Sequence, residues 1–172
     1  MNLVKRKVNV KTYVNSIIER HPVPVLGIDY KVKIVYKNIK ITELDVENKT
    51  IKISLPNRYK KVSNSEILDF AIEKMYEQIA KVEIERAMEK TRIMLGFAPE
   101  EYEVKKIRTI GKCEDNKITI NPEVVMYNRK VIDYVVLHQY CHLKYKTHSK
   151  GFIKMIEKYE PQYKIYEKTI NM

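Results

Sequence analysis

The sequence is poor in several residue types whose abundance marks particular classes of protein. It has two cysteines, four glycines and no tryptophan among its 172 residues, which excludes a disulfide-stapled scaffold and a glycine-rich fibrous chain. No apolar run approaches the ~18 residues that a transmembrane helix needs. The N-terminus has no apolar segment behind its charges, so no signal peptide is predicted. We therefore expect one globular domain in the reducing cytoplasm, with no membrane partner.

Positive charge is in excess, with 33 lysines and arginines against 22 acidic residues and a formal net charge of +11. Such a field attracts polyanions, so weak, salt-sensitive and non-specific binding to nucleic acid is predicted. The alternative is that the charge serves solubility alone. No zinc-finger, RNP or helix-turn-helix pattern is present, and no phosphate-binding P-loop, so the charge by itself assigns no nucleic-acid module.

The first half of the chain predicts one helical segment, one sheet and one long helix. Apolar spacing favours a helical segment within residues 1–27, stopped by two prolines near its end. Residues 28–60 alternate apolar and lysine positions between asparagine-containing turns, which predicts a β-meander. Ser63 and Glu66 form a capping-box pattern, so a long helix is expected over 63–95. Its predicted apolar stripe comprises Ile67, Phe70, Ala71, Met75, Ile79, Val82, Met88 and Leu95.

The second half, residues 100–172, predicts two strands followed by helices. The strands are expected at 102–110 and 117–121, separated by a loop that begins at Gly111. A connector follows, then an apolar helix from Arg129, a helix capped by Ser149, and a last helical segment after a proline. Strands grouped early and helices grouped late predict an α+β fold, with residues 1–172 forming a single domain.

Three of the four histidines lie within eleven residues. His138 and His142 are four residues apart on the Arg129 helix, which places both imidazoles on one face, and His148 follows shortly after the helix. Three imidazoles with an open fourth position suit a catalytic zinc ion. The alternative is a set of buried histidines satisfied by backbone or carboxylate groups. The number and placement of the histidines favour metal binding, and we expect one zinc ion per chain, with another divalent metal ion as the alternative.

The spacing is that of H-E-x-x-H zinc hydrolases with one departure. In that motif the glutamate after the first histidine is the general base. Here the position is Gln139, whose amide has the same shape and can hydrogen-bond but cannot take up a proton at neutral pH. Because the histidines are retained, general decay is not indicated, and we interpret Gln139 as a deliberate inactivating Glu-to-Gln substitution rather than the residue of a natural pseudoenzyme. The chain is expected to bind metal and turn over little.

The residues around this motif point to a family. His138-Gln139-Tyr140-Cys141-His142-Leu143-Lys144, with His148-Ser149 and Phe152, resembles the H-E-x-x-H-L-K…H-S/N-x-x-F signature of the YgjP-like metal-dependent hydrolases, which are related to the SprT-like and WLM groups. The stretches 110–121, 160–163 and 30–56 are similar to that family's glycine-cysteine strand pair, C-terminal signature and N-terminal meander.

The resemblance implies a zincin-like fold with a mixed or antiparallel sheet and a peptidase that acts on peptide or protein substrates. It places the metal ligands at His138, His142 and His148 and the general base at position 139. Helical arithmetic puts Tyr134 and Tyr145 near His138, where either could contact substrate or simply pack. Cys141 is expected to be a packed structural thiol, and Asp133 to lie on the opposite helix face.

Two other functions stay open at this point. One is a metal-dependent hydrolase of nucleotide phosphoanhydrides, using the lysine-rich surface to bind phosphate. The other is a non-catalytic, zinc-stabilised protein that binds nucleic acid, in which Gln139 is the natural residue.

Overall fold

The structure, a computed structural model, describes residues 18–170. This part of the chain forms two sheets and four α-helices, the mixed α+β fold that was predicted. The strands are β1 Ile18–Val25, β2 Ile28–Lys37, β3 Glu43–Glu47, β4 Thr50–Pro56, β5 Glu101–Val104, β6 Gly111–Glu114 and β7 Lys117–Ile120. The helices are α1 Asn64–Leu95, α2 Arg129–Lys144, α3 Lys150–Tyr159 and α4 Tyr163–Ile170, with short 3-10 turns at Asn57–Lys61 and Pro122–Met126.

The first sheet has the strand order β1-β2-β4-β3, so the predicted meander is wrong. Strand β4 lies between β2 and β3, parallel to β2 and antiparallel to β3. The position of each strand in this order follows how much apolar surface it can bury. Val32 and Ile51 are register partners on the buried face of the two central strands, whereas every residue of β3 is exposed. A strand with little apolar surface to bury is best placed at an edge.

The helical segment predicted within residues 1–27 is wrong from Ile18 onward, where the chain forms edge strand β1 antiparallel to β2. The remainder of that prediction lies outside the described residues. Pro22 and Pro24, which suggested the end of a helix, are tolerated in β1 because an edge strand leaves N–H groups unpaired on one side. The register shifts between Arg20 and Val23, next to the first proline.

The long helix α1 begins and ends as predicted. The Ser63 hydroxyl accepts a hydrogen bond from the backbone N–H of Glu66 at 3.4 Å, and Gly96 caps the other end with φ of +75°. The predicted apolar stripe is only partly buried, because Phe70 and Val82 are 43% and 66% exposed. The face that packs on neighbouring elements passes instead through smaller residues such as Ala80 and Ala87.

The second sheet has three strands in the order β5-β7-β6. The first predicted strand ends at Val104, and the predicted loop at Gly111 is itself strand β6, paired antiparallel with β7. Asp115 and Asn116 both have positive φ, which closes a two-residue hairpin turn tight enough for the flanking residues to pair. In the strand order β5-β7-β6, strand β6 lies at an edge of the sheet.

The β1–β2 turn supports the start of helix α2. The backbone N–H of Leu26 donates to the carbonyl of Val125 at 2.7 Å. Gly27, at φ of +79°, lies so close to Asn128 that a Cβ atom at position 27 would be 2.9 Å from the Asn128 Cβ. Asn128 in turn caps α2, since its side chain accepts from the N–H groups of Lys130 and Val131.

One continuous apolar core joins both sheets to α1, α2 and the C-terminal helices. The helix starts predicted at Arg129 and Ser149 are confirmed. Across residues 18–170, no helix combines the length and the hydrophobicity needed to cross a lipid bilayer.

Candidate metal centre

Helix α2 brings two histidines to one point because most of its surface is buried. Ile132, Val136 and Cys141 are fully buried in the core, which fixes the rotation of the helix. His138 and His142 then project from the same side, one turn apart, and their Nε2 atoms are 3.2 Å apart.

His148 joins this pair from the segment between α2 and α3. Helix α2 ends at Lys144, and Ser149 caps α3 by accepting from the N–H of Phe152. The short connection returns His148 toward the helix, with its Nε2 atom 3.1 Å from that of His138 and 3.2 Å from that of His142. The three histidines grouped by the sequence spacing therefore meet at one point.

The spacing of the three nitrogens fits a tetrahedral metal ion. Three nitrogens bound at about 2.0–2.1 Å to one zinc ion lie about 3.3–3.4 Å from one another, close to the observed 3.1–3.2 Å. One N–H can point at only one neighbour, so hydrogen bonds among the imidazoles do not account for a triangle of three equal contacts. The three histidines could hold a metal ion.

Two of the imidazoles are oriented through their other ring nitrogen. His142 Nδ1 is 3.0 Å from the backbone carbonyl oxygen of Tyr145, and His138 Nδ1 is 3.2 Å from the Tyr134 hydroxyl. A carbonyl oxygen accepts hydrogen bonds only, so His142 donates from Nδ1 and presents a lone pair at Nε2. Such partners are typical of histidines that bind metal.

The ring of Phe152 packs beneath all three imidazoles. Its centroid is 5.0, 4.7 and 4.6 Å from those of His138, His142 and His148. Phe152 is 1% exposed and sits on the first turn of α3. It therefore ties the position of His148 to that of helix α2.

The surroundings favour the neutral form of two imidazoles, those of His138 and His142. Burial, followed by the charges of His142 and His148, lowers the pKa of His138 to about 4. Burial also lowers the pKa of His142. A neutral imidazole has the free lone pair that a metal ion requires, so His138 and His142 need no deprotonation at neutral pH before they bind one.

Gln139 is buried beside the cluster, at 6% exposure. A Cβ atom at Gly111 would lie 3.0 Å from the Gln139 Nε2 atom, so a side chain at position 111 would displace the Gln139 amide by a few tenths of an ångström. Gln139 and Gly111 both line a cavity of about 210 Å³ next to the histidines. Its other lining residues are Ile110, Tyr134, Val135, His138, His148, Glu167 and Ile170.

The remaining candidate residues lie on helix α2 or directly after it. Tyr134 is 3% exposed, holds His138 through its hydroxyl and lines the cavity with its ring. Tyr145 contributes its carbonyl oxygen, while its ring packs on Gly151. Contact of either tyrosine with substrate stays a prediction. Cys141 is fully buried outside the cluster, and burial raises its pKa to about 12. Asp133 is ion-paired with Arg86 on another side of α2.

Sequence reasoning missed the contribution of α4. Glu167 and Ile170 line the cavity, and nothing in their local pattern distinguishes them from an ordinary amphipathic helix. Burial, followed by the charge of Glu167, raises the pKa of Tyr134 above its usual range, so this carboxylate acts electrostatically on the site. A chain reversal between α3 and α4 brings it there, and no spacing rule predicts such a contact.

A helix that presents two imidazoles to a third from the loop behind it, beside an edge strand and a cavity, defines the chain as a candidate mononuclear metalloprotein. The model of the YgjP-like metallopeptidase domain matches residues 3–172, and the chain belongs to this family. The resemblance drawn from the sequence is confirmed.

Among solved structures, the chain is similar to two metallopeptidase zymogens. Abylysin of Pyrococcus abyssi is 25% identical, over 51% of this chain and 90% of that one, with a TM-score of 0.47. Jannalysin of Methanocaldococcus jannaschii is 21% identical, over 51% and 92% of the two chains, with a TM-score of 0.45. No curated protein matches the chain.

Proposed function

We propose that the chain is a zinc-dependent hydrolase of the metallopeptidase type, with His138, His142 and His148 as the zinc ligands. The observation that carries this proposal is the triangle of three Nε2 atoms 3.1–3.2 Å apart. Membership of a metallopeptidase family supports a peptide or protein as the substrate. A cytoplasmic location, expected from two cysteines that are both unpaired, is part of the proposal.

Zinc, when bound, would polarise the scissile carbonyl and lower the pKa of the attacking water. The protein side chains divide the remaining work. Tyr134 and the Tyr145 carbonyl hold two imidazoles in the required orientation, and Phe152 supports all three. Gln139 occupies the general-base position, where its amide can position the water but not accept its proton. We therefore propose that this chain binds substrate and hydrolyses it slowly.

The substrate would lie along β6. This strand is at the edge of its sheet, and its first residue, Gly111, borders Gln139 and the cavity. An extended peptide added to such an edge would pass the three histidines with its carbonyl groups in reach. Tyr134 lines the cavity beside this path, and Tyr134 and Tyr145 are proposed as substrate-contacting residues.

The two alternatives find no support at the site. A phosphoanhydride substrate needs cationic groups, yet the lining residues in the described part of the chain include no lysine or arginine. Nothing in residues 18–170 pairs the positive surface with a nucleic-acid motif. Neither alternative is proposed, and both serve as outcomes of the tests below.

The ligand set is tested by metal content. Protein treated with chelator and reloaded should hold one zinc ion per chain by elemental analysis, and the His138→Ala, His142→Ala double variant should hold none. His21→Ala is the matched control, because His21 is exposed on β1. Full stoichiometry in the double variant would overturn the assignment.

The base position is tested by restoring the carboxylate. Gln139→Glu should raise hydrolysis by ~10²–10⁴-fold, the usual worth of a positioned acid–base group, without changing zinc content. Casein, nucleoside triphosphates and DNA, tested in parallel, separate the peptidase from the two alternatives. If the zinc-loaded Gln139→Glu variant is no more active than the present chain on any of these substrates, position 139 is not the base.

A further inference from the structure

Helix α4 places a carboxylate residue, Glu167, at the cavity beside the histidines. Tyr163, Glu167 and Ile170 are spaced at i, i+4 and i+7 and so share one helix face. Tyr163 is buried in the core, while Glu167 and Ile170 line the cavity. The orientation of Glu167 toward the cavity is therefore set by the packing of its own helix.

This carboxylate has no ion-pair partner in the described part of the chain. Glu167 forms no hydrogen bond or ion pair with any other residue between 18 and 170. By contrast, Glu83 and Asp133 on the other side of α2 are each bound by two cationic side chains. In a chain with a net charge of +11, an acidic group that meets no internal cation is available for a cation brought by a ligand.

The rest of the cavity suits an aliphatic chain with a charged end. Ile110, Val135 and Ile170 supply apolar wall, and the volume of about 210 Å³ is that of a site for one side chain rather than for a large ligand. Lysine and arginine bury their methylene stems against such walls while the charged head meets a polar group.

We propose that this cavity receives a positively charged group of a peptide substrate, and that Glu167 is the residue that recognises it. The group is a lysine or arginine side chain or a free amino terminus, which share the same cation chemistry. Only the identity of the ligand as a peptide rests on the proposed function. Glu167 is thus a specificity-determining residue supplied by α4.

The metal ion and Glu167 would act on the substrate cation in opposite directions, which gives the proposal a distinctive signature. A divalent ion at the three histidines repels a second cation nearby, whereas Glu167 attracts it. The preference for a cationic peptide should therefore be larger in the metal-free protein than in the zinc-loaded one. Both preferences should shrink as salt is added, because a partly exposed charge pair is screened.

The experiment measures binding rather than turnover, which the amide at position 139 makes practical. The probes are alanine-based hexapeptides labelled with fluorescein at the C-terminus. One lysine or its uncharged isostere norleucine is placed at each position in turn, and the amino terminus is free or acetylated. Fluorescence anisotropy gives the Kd for the present chain, Glu167→Gln and Glu157→Gln, each metal-free and zinc-loaded. Glu157 is an exposed glutamate on α3 and is the matched control.

The expected result is a preference of about fivefold for the cationic peptide at one position, the usual strength of one partly exposed charge-assisted contact. The preference should be lost in Glu167→Gln and kept in Glu157→Gln. Acetylation separates an amino-terminal site from a side-chain site, because it abolishes only the first.

Different failures overturn different proposals. Peptide binding without a cation preference, or with a preference that survives in Glu167→Gln, overturns the role of Glu167 alone. A Glu167-dependent preference in a protein that binds no zinc keeps that role and overturns the proposed metallopeptidase. If no peptide binds to folded protein in either metal state, both proposals are wrong.

Discussion

Helix α2 carries two polar clusters on different sides, and their chemistry is opposite. On one side, Asp133 accepts from Arg86 at 2.7 Å and from Lys90 at 2.6 Å. Glu83 of α1 lies in the same network and accepts from Arg129 at 2.6 Å. On the other side, three imidazoles of the same kind face one another with no acidic group among them.

The difference separates a structural cluster from one that we propose binds a metal ion. In the first cluster every acid has a base within hydrogen-bond distance, so the network is complete and holds α1 against α2. In the second, three like groups are held 3.1–3.2 Å apart, an arrangement that a shared cation would stabilise. The three Nε2 atoms converge with no acidic group among them, which suits a cation supplied from outside the chain.

Metal binding should give the largest effect on the histidine side. Zinc at a thousand times its Kd should raise the free energy of unfolding by about 4 kcal/mol, because it binds only the folded chain. Urea unfolding with and without zinc measures this. The His138→Ala, His142→Ala double variant should show no increase, and an equal increase there would place the zinc elsewhere.

Acid should destabilise the metal-free protein through the same histidine cluster. The pKa of His138 is lowered to about 4, against about 6.5 in the unfolded chain. Above pH 6.5 neither state binds the proton. As the pH falls from 6.5 to 4, only the unfolded state does, so up to about 3 kcal/mol of stability is lost.

Urea unfolding of the metal-free protein at pH 7.5 and pH 4.5 tests this. The stability loss should be smaller in His138→Gln by that amount. The matched variant His21→Gln should behave as the unmodified chain. An identical pH dependence in all three would show that His138 is not held neutral by its surroundings.

On the acidic side, Glu83→Gln should lower the free energy of unfolding by about 2 kcal/mol at pH 7, without changing zinc content. Glu83 is 5% exposed, so the amide would leave Arg129 without its charged partner and Arg86 with Asp133 alone. Glu89→Gln removes an exposed ion pair with Arg92 and should leave stability nearly unchanged. A loss of zinc in Glu83→Gln would mean that the two sides of α2 are not independent.

The smallest effect concerns the orientation of one imidazole. Tyr134→Phe removes the hydroxyl next to His138 Nδ1 and should weaken zinc binding by about tenfold. Competition with a chelator of known affinity measures this. Tyr140→Phe removes a buried hydroxyl that donates to the Met88 carbonyl and should leave zinc affinity unaltered. Equal affinities in both variants would remove Tyr134 from the metal centre.

The helices were predicted well because their signals are local. Caps at Ser63, Gly96 and Ser149 and the helix start at Arg129 are confirmed. The strands were predicted less well, since pairing depends on residues that are distant in sequence. The meander failed because β4 displaces β3 from β2, and the N-terminal helix failed because prolines end a helix but also occur in edge strands.

The sequence by itself determined the part of the site that lies within one helix and its following turn. Helical geometry puts His138 and His142 on one face. His148 directly precedes Ser149, the N-cap of α3, so the start of that helix restricts its position. The sequence also indicated the family, through the motif around position 139. The tertiary structure decided what surrounds those residues. Gly111 of β6 against Gln139 and Glu167 of α4 in the cavity are contacts between separate elements. They are set by how the core packs, and no periodicity along the chain encodes them.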